Sequence, residues 1–129
     1  TPRRFMARTT DKHTADTGVT DILAALDRVL DERRGAAPGE SYVASLYAAG
    51  LNRILEKVGE EATEVLLAAK DNEKGGAADA LVGEVADLWF HTLVLLSAQG
   101  LSSAEVLARL DDRFGLSGHA EKAARASNT

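Results

Sequence analysis

Apolar residues recur three and four positions apart through most of the chain, which is the spacing of an amphipathic α-helix. Residues 21–34 carry the first such pattern, with Thr20 placed to cap its start and Gly35 just past its end. Ser41 opens a short helical segment that ends near Gly50. The other predicted helices are 51–70, 77–98 and a last one from 102 to about 113.

Polar and glycine-rich stretches separate these helices. Residues 35–39 (GAAPG) and 71–76 (DNEKGG) are predicted loops, and Ser102 with Glu105 forms a capping box for the last helix. Residues 1–19 show no apolar period, so we expect a disordered N-terminal arm rather than a signal peptide, followed by one helical domain over 20–129. No apolar run reaches the roughly 20 residues that a membrane span needs. The pattern predicts an all-α fold of four to five helices.

Composition narrows the chemistry that this fold can carry. The chain has 129 residues and a net charge of −5, without a basic block that would follow a phosphate backbone, so nucleic-acid binding is not expected. Cysteine is absent, which excludes disulfides, thiolate zinc sites and cysteine nucleophiles. Catalysis or ligand binding must therefore use carboxylates, histidines, hydroxyls or basic groups.

The helix at 77–98 carries acids inside an almost wholly apolar sequence, which is typical of a buried helix. On a helical wheel with Glu84 at zero, Asp87 lies at about −60° and His91 at about −20°, with apolar neighbours on both sides. A carboxylate that leaves water without a partner is costly, so Glu84 and Asp87 need a cation or a buried network.

The helix at 51–70 supplies a second acidic stripe. With Ile54 at zero, Glu61 falls at about −20°, Lys57 at about −60°, Glu64 at about −80° and Glu60 at about −120°. Two antiparallel helices joined by a short loop bring such stripes together, so E-x-x-E and E-x-x-D are expected to converge. Ligation by oxygen alone favours Mg²⁺ or Mn²⁺ over zinc or copper.

Structural interpretations of the same residues remain open. An isolated E-x-x-E is common on solvated helix faces, Lys57 and Glu61 form a possible surface pair, and His91 is equally interpretable as a hydrogen-bonded core residue. Trp89 and Phe90, like Tyr42, are most simply core residues. No Glu-x-x-His, no Walker A pattern and no credible serine triad is present.

Three segments carry a family resemblance. They are GESYVASLYAAGLNRILEKVGEEATEVLLAAKD, ALVGEVADLWFHTLVLL and RFGLSGHAEKAAR. These resemble the phosphoribosyl-ATP pyrophosphatases of histidine biosynthesis, within the all-α nucleotide pyrophosphohydrolase superfamily that includes MazG-like proteins. The resemblance spans about residues 21–125 and implies a MazG-like helical bundle that is completed by dimerisation.

The resemblance also implies a reaction and a site. The reaction is Mg²⁺-dependent hydrolysis of 1-(5-phosphoribosyl)-ATP to 1-(5-phosphoribosyl)-AMP and pyrophosphate, in a cytoplasmic homodimer that binds neither nucleic acid nor membrane. Metal ligands carried over from the family are Glu61, Glu64, Glu84 and Asp87. Glu60 or the ligand Glu61 is the expected base, Lys57 is expected to meet phosphate oxygens, and His91 to support a ligand from behind. The alternatives are a house-cleaning (d)NTP pyrophosphatase and a non-catalytic helical dimer.

Overall fold

The computed structural model describes residues 21–115, and these form five α-helices and one 3₁₀ turn without a strand. The helices are α1 (Asp21–Arg33), α2 (Tyr42–Ala49), α3 (Leu51–Glu73), α4 (Ala78–Ala98) and α5 (Ser103–Phe114). The all-α prediction is confirmed for this part of the chain. The predicted cap Thr20, the predicted arm at 1–19 and the C-terminal residues 116–129 lie outside the described residues.

Two of the predicted helix starts have the capping geometry that their sequences indicate. The Ser41 side chain accepts a hydrogen bond from the backbone N–H of Ala44 at 3.0 Å, which fixes the first turn of α2. The Glu105 carboxylate accepts from the backbone N–H of Ser102 at 2.7 Å, in a complete capping box at the start of α5. The predicted loop at 35–39 contains the 3₁₀ turn, which spans Pro38–Glu40.

The end of α3 differs from the prediction. The helix continues to Glu73, so the first three residues of the predicted 71–76 loop are helical. The break comes at Gly75, whose φ of 97° favours glycine, and at Gly76, where an added Cβ would lie 2.7 Å from the Asp71 carbonyl oxygen. The two glycines, rather than the polar residues before them, therefore end the helix and create the tight turn into α4.

The hydrophobic core lies at one end of the α3–α4 hairpin. Helix α1 packs against α4, and α2 packs against α3. The side chains that these four helices bury together are Leu30, Val43, Leu46, Ile54, Phe90, Leu93 and Val94. Helix α5 is joined to this unit through Asp27, whose carboxylate accepts hydrogen bonds from the backbone N–H and the hydroxyl of Ser103.

The other end of the hairpin has no such cover among the described residues. Leu66 and Val82 are each 65% exposed, and Trp89 is 61% exposed, so the prediction that Trp89 is a core residue is wrong for the single chain. All-round burial of α4 holds only for its second half, because α1 and α2 do not reach the first half. Helix α4 is long and apolar enough to cross a membrane, but the core helix of a soluble protein passes the same test, so this is weak evidence.

Candidate functional site

Three carboxylates meet midway along the hairpin. Glu61 on α3 is fully buried, and Glu84 and Asp87 on α4 are half-buried. Each offers one oxygen to a group whose ligand atoms all lie within 4.8 Å of one another. We call Glu61, Glu84 and Asp87 the three-acid group. The predicted convergence of the two acidic stripes is confirmed for these three residues.

The secondary structure explains why these side chains meet. Glu84 and Asp87 are three residues apart on α4, so they lie on one face, one turn apart. The hairpin then sets this face against the face of α3 that buries Ile54 and Glu61. The apolar packing between α3 and α4 therefore also buries the carboxylate of Glu61.

The fourth predicted ligand occupies a different position. Glu64 is half-buried and lies one turn beyond Glu61 on α3, but it is not part of the three-acid group. Its role as a metal ligand stays a prediction.

Lys57 lies on the core side of Glu61. Its Nζ is 3.5 Å from Oε2 of Glu61 and 3.1 Å from Oε1 of Glu60, and its side chain is only 12% exposed. Burial acts to lower the pKa of Lys57, but the hydrogen bond to Glu60 and the charges of the two glutamates outweigh it and raise the pKa above its ordinary value. Lys57 is therefore held as a cation beside the buried carboxylate of Glu61.

Glu60 lies at the outer edge of this arrangement, with a side chain that is 53% exposed. Besides Lys57 it contacts Arg53, whose Nη1 is 3.6 Å from Oε2 of Glu60 and 3.0 Å from Oε1 of Glu56. Arg53 was not among the predicted site residues. Its position four residues before Lys57, which places both cations on one face of α3, could have indicated it.

His91 is fully buried behind Asp87. Its Nδ1 is 2.8 Å from the backbone carbonyl oxygen of Asp87, and its Nε2 is 2.8 Å from the hydroxyl of Tyr42. His91 is thus a hydrogen-bonded core residue. Its contact with Asp87 is to the backbone carbonyl and not to the carboxylate, so its role in supporting a metal ligand stays a prediction. Tyr42, which the sequence analysis treated only as a core residue, is half-buried and reaches the site from α2.

The donor set of the three-acid group fits a hard divalent cation. All three donors are carboxylate oxygens, which suit Mg²⁺ and Mn²⁺ better than zinc or copper. Three like charges this close, one of them removed from water, are mutually repulsive unless positive charge is supplied. Lys57 supplies part of that charge on one side, and a bound divalent cation would supply the rest.

Comparison with known proteins identifies the family. The sequence profile described as "Phosphoribosyl-ATP pyrophosphohydrolase" matches residues 23–114, which include all five helices except the first two residues of α1. The chain is also 62% identical over 108 residues to a curated protein of Hydrogenovibrio crunogenus (strain DSM 25203 / XCL-2) described as "Phosphoribosyl-ATP pyrophosphatase". That match covers 84% of this chain and 96% of the relative. The chain therefore belongs to the phosphoribosyl-ATP pyrophosphohydrolase family.

Proposed function

We propose that the protein hydrolyses 1-(5-phosphoribosyl)-ATP to 1-(5-phosphoribosyl)-AMP and pyrophosphate, the second step of histidine biosynthesis. The observation that carries this proposal is the 62% identity to a phosphoribosyl-ATP pyrophosphatase over nearly the whole length of that relative. The three-acid group supports it, because carboxylates that share a divalent cation with phosphate oxygens are suited to phosphoanhydride hydrolysis.

In this proposal Glu61, Glu84 and Asp87 would hold Mg²⁺, or Mn²⁺ in its place, with Glu64 as a fourth ligand. The cation would neutralise charge on the phosphate oxygens and lower the pKa of a bound water. Substrate and protein are both strongly negative at this point, so the carboxylates bind the nucleotide only together with the cation.

The reaction joins one water to the α–β phosphoanhydride. A new bond forms between the water oxygen and phosphorus, the bridging P–O bond breaks, and pyrophosphate leaves. Lys57 faces the phosphate oxygens with a compact positive charge. Glu60, half exposed beside Lys57, orients the water or accepts its proton, and a carboxylate of the three-acid group, Glu61 first, is the other candidate for this base.

We further propose that the working form is a cytoplasmic homodimer with a nucleotide substrate and with neither nucleic acid nor membrane as a partner. Leu66, Val82 and Trp89 are large apolar side chains that are exposed at the open end of the hairpin, and this supports self-association, since exposed apolar surface often marks an interface. The net charge of −5 argues against a nucleic-acid partner.

Release of pyrophosphate from phosphoribosyl-ATP, measured beside dUTP, dCTP and ATP with and without Mg²⁺, tests the proposal. We expect Mg²⁺-dependent release that is fastest with phosphoribosyl-ATP. Asp87→Asn should lower the rate by at least about 100-fold, because it removes one of the charged donors. Asp79→Asn is the matched control, since Asp79 is exposed in the first turn of the same helix and should leave the rate unchanged.

The same assay separates the alternatives. Faster turnover of dCTP or dUTP than of phosphoribosyl-ATP would identify a (d)NTP pyrophosphatase. A complete lack of Mg²⁺-dependent release, with the helical circular dichroism signal intact, would favour a non-catalytic helical dimer.

A further inference from the structure

A chain of hydrogen bonds connects α2 to the turn of α4 that carries Asp87. Tyr42 is the first residue of α2, and the Ser41 cap fixes where that helix begins. The Tyr42 hydroxyl lies 2.8 Å from Nε2 of His91, and the two rings meet edge to face, with centroids 5.7 Å apart and planes at 83°. The tyrosine therefore contacts the histidine through both its polar atom and its ring.

The second bond in this chain determines which atoms donate. Nδ1 of His91 lies 2.8 Å from the backbone carbonyl oxygen of Asp87. A carbonyl oxygen only accepts, so Nδ1 donates to it, and in the neutral form of the ring Nε2 then accepts from the Tyr42 hydroxyl. Burial is the main cause that raises the pKa of Tyr42, against the lowering effect of the Lys57 and Arg53 charges, so the hydroxyl keeps its proton at neutral pH.

This chain ends on a residue of the three-acid group. Asp87 and His91 are one turn apart on α4, so a histidine that cannot rotate holds that turn in place. A fully buried imidazole with a partner on each nitrogen has one orientation. Removal of the Tyr42 hydroxyl would break the hydrogen bond to Nε2 of His91 and keep the apolar packing of both rings.

We propose that Tyr42 is a positioning residue: through His91, its hydroxyl fixes the turn of α4 that carries Asp87, and so fixes the separation between Asp87 and Glu61. This inference rests on the proposed metal-binding role of the three-acid group. With this role for Tyr42, helix α2 is one of the elements that shape the site. His91 then has a function in addition to core packing. Mutation of a group that orients a metal ligand typically costs about 10–100-fold in metal affinity or activity.

The chain offers a matched pair of variants on one short helix. Tyr42→Phe removes the hydroxyl that faces His91. Tyr47→Phe is the control, because the Tyr47 hydroxyl donates to the backbone carbonyl of Leu30 at 3.2 Å, outside the three-acid group. Each variant deletes one oxygen atom and keeps its ring, so a general loss of packing affects both alike.

Titration calorimetry of Mn²⁺ binding to the substrate-free protein gives the first measurement. We expect affinity to fall about tenfold in Tyr42→Phe and to stay unchanged in Tyr47→Phe. In the pyrophosphate-release assay, the Mg²⁺ concentration for half-maximal rate should rise by a similar factor, while the rate at saturating Mg²⁺ is largely retained. Equal Mn²⁺ affinity in the two variants, or no Mn²⁺ binding by the wild type, would overturn the positioning role.

Nitrogen NMR of the histidine side chains gives a second measurement that needs neither metal nor turnover. In the wild type His91 should show a protonated Nδ1, and in Tyr42→Phe its Nε2 resonance should move toward that of a ring nitrogen without a donor. A protonated Nε2 in the wild type would overturn the chain of bonds. If the wild type binds Mn²⁺ but fails to release pyrophosphate, the proposed function fails, whereas the comparison of Tyr42 with Tyr47 still decides the positioning role.

Discussion

The two ends of the α3–α4 hairpin both carry apolar side chains but have different surroundings. At one end, α1 and α2 cover the pair, and Ile54, Phe90 and Val94 are at most 5% exposed. At the other end, Leu66 and Val82 are each 65% exposed. The three-acid group lies where this cover ends, with its buried member on α3 and its two half-buried members on α4.

This difference shows how one hairpin serves both stability and chemistry. The covered end fixes the spacing and rotation of the two helices, so carboxylates that repel one another are nevertheless held together. Glu84 and Asp87 are half-buried, so part of the group remains in contact with solvent. In the proposed homodimer, a second copy of the chain would cover the exposed apolar residues beyond this group.

The largest expected effect is the loss of stability when a side chain of the covered end is truncated, compared with a half-exposed leucine elsewhere in the chain. Leu93 is 7% exposed in the covered core, so Leu93→Ala should lower the free energy of unfolding by about 2–5 kcal/mol. Leu107→Ala on α5, where the side chain is 46% exposed, should cost less than about 1 kcal/mol. Urea denaturation followed by circular dichroism measures both. Equal costs would mean that the covered end is not the stabilising core.

A substitution at the open end of the hairpin should weaken dimerisation and leave the folding of the single chain intact. Val82→Glu places a charge in the proposed dimer surface, and a charge buried there without a partner should weaken the dimer by at least about tenfold. Sedimentation at several protein concentrations measures this, and circular dichroism checks that the helices remain. A variant that dimerises as the wild type does would place the interface on another face of the chain.

Some of the contacts at the site could be predicted from the sequence, and others could not. The meeting of Glu61 with Glu84 and Asp87 was predictable, because helical spacing and a short connection determine which faces meet. The exposure of Trp89 was not, since the wheel shows that a side is apolar but not whether another helix covers it. The Tyr42–His91 bond joins residues 49 positions apart, and only the packing of α2 beside the hairpin brings them together.

The boundaries of the helices show the same limit on a smaller scale. Both the Ser41 cap and the Ser102–Glu105 box follow from local chemistry and were predictable. The end of α3 was not, because the polar residues up to Glu73 are compatible with helix as well as loop, and the backbone at Gly75 and Gly76 decides between them.

In the proposed function the three-acid group is one cation site. Its most direct test is the melting temperature of the substrate-free protein as Mg²⁺ is added, for the wild type and for Glu61→Gln. Binding to the folded state should add about 2.7 kcal/mol of stability at a concentration 100 times the dissociation constant. We expect the melting temperature of the wild type to rise with Mg²⁺ and that of Glu61→Gln to stay nearly constant. An equal rise in both proteins, or no rise in the wild type, would contradict the account.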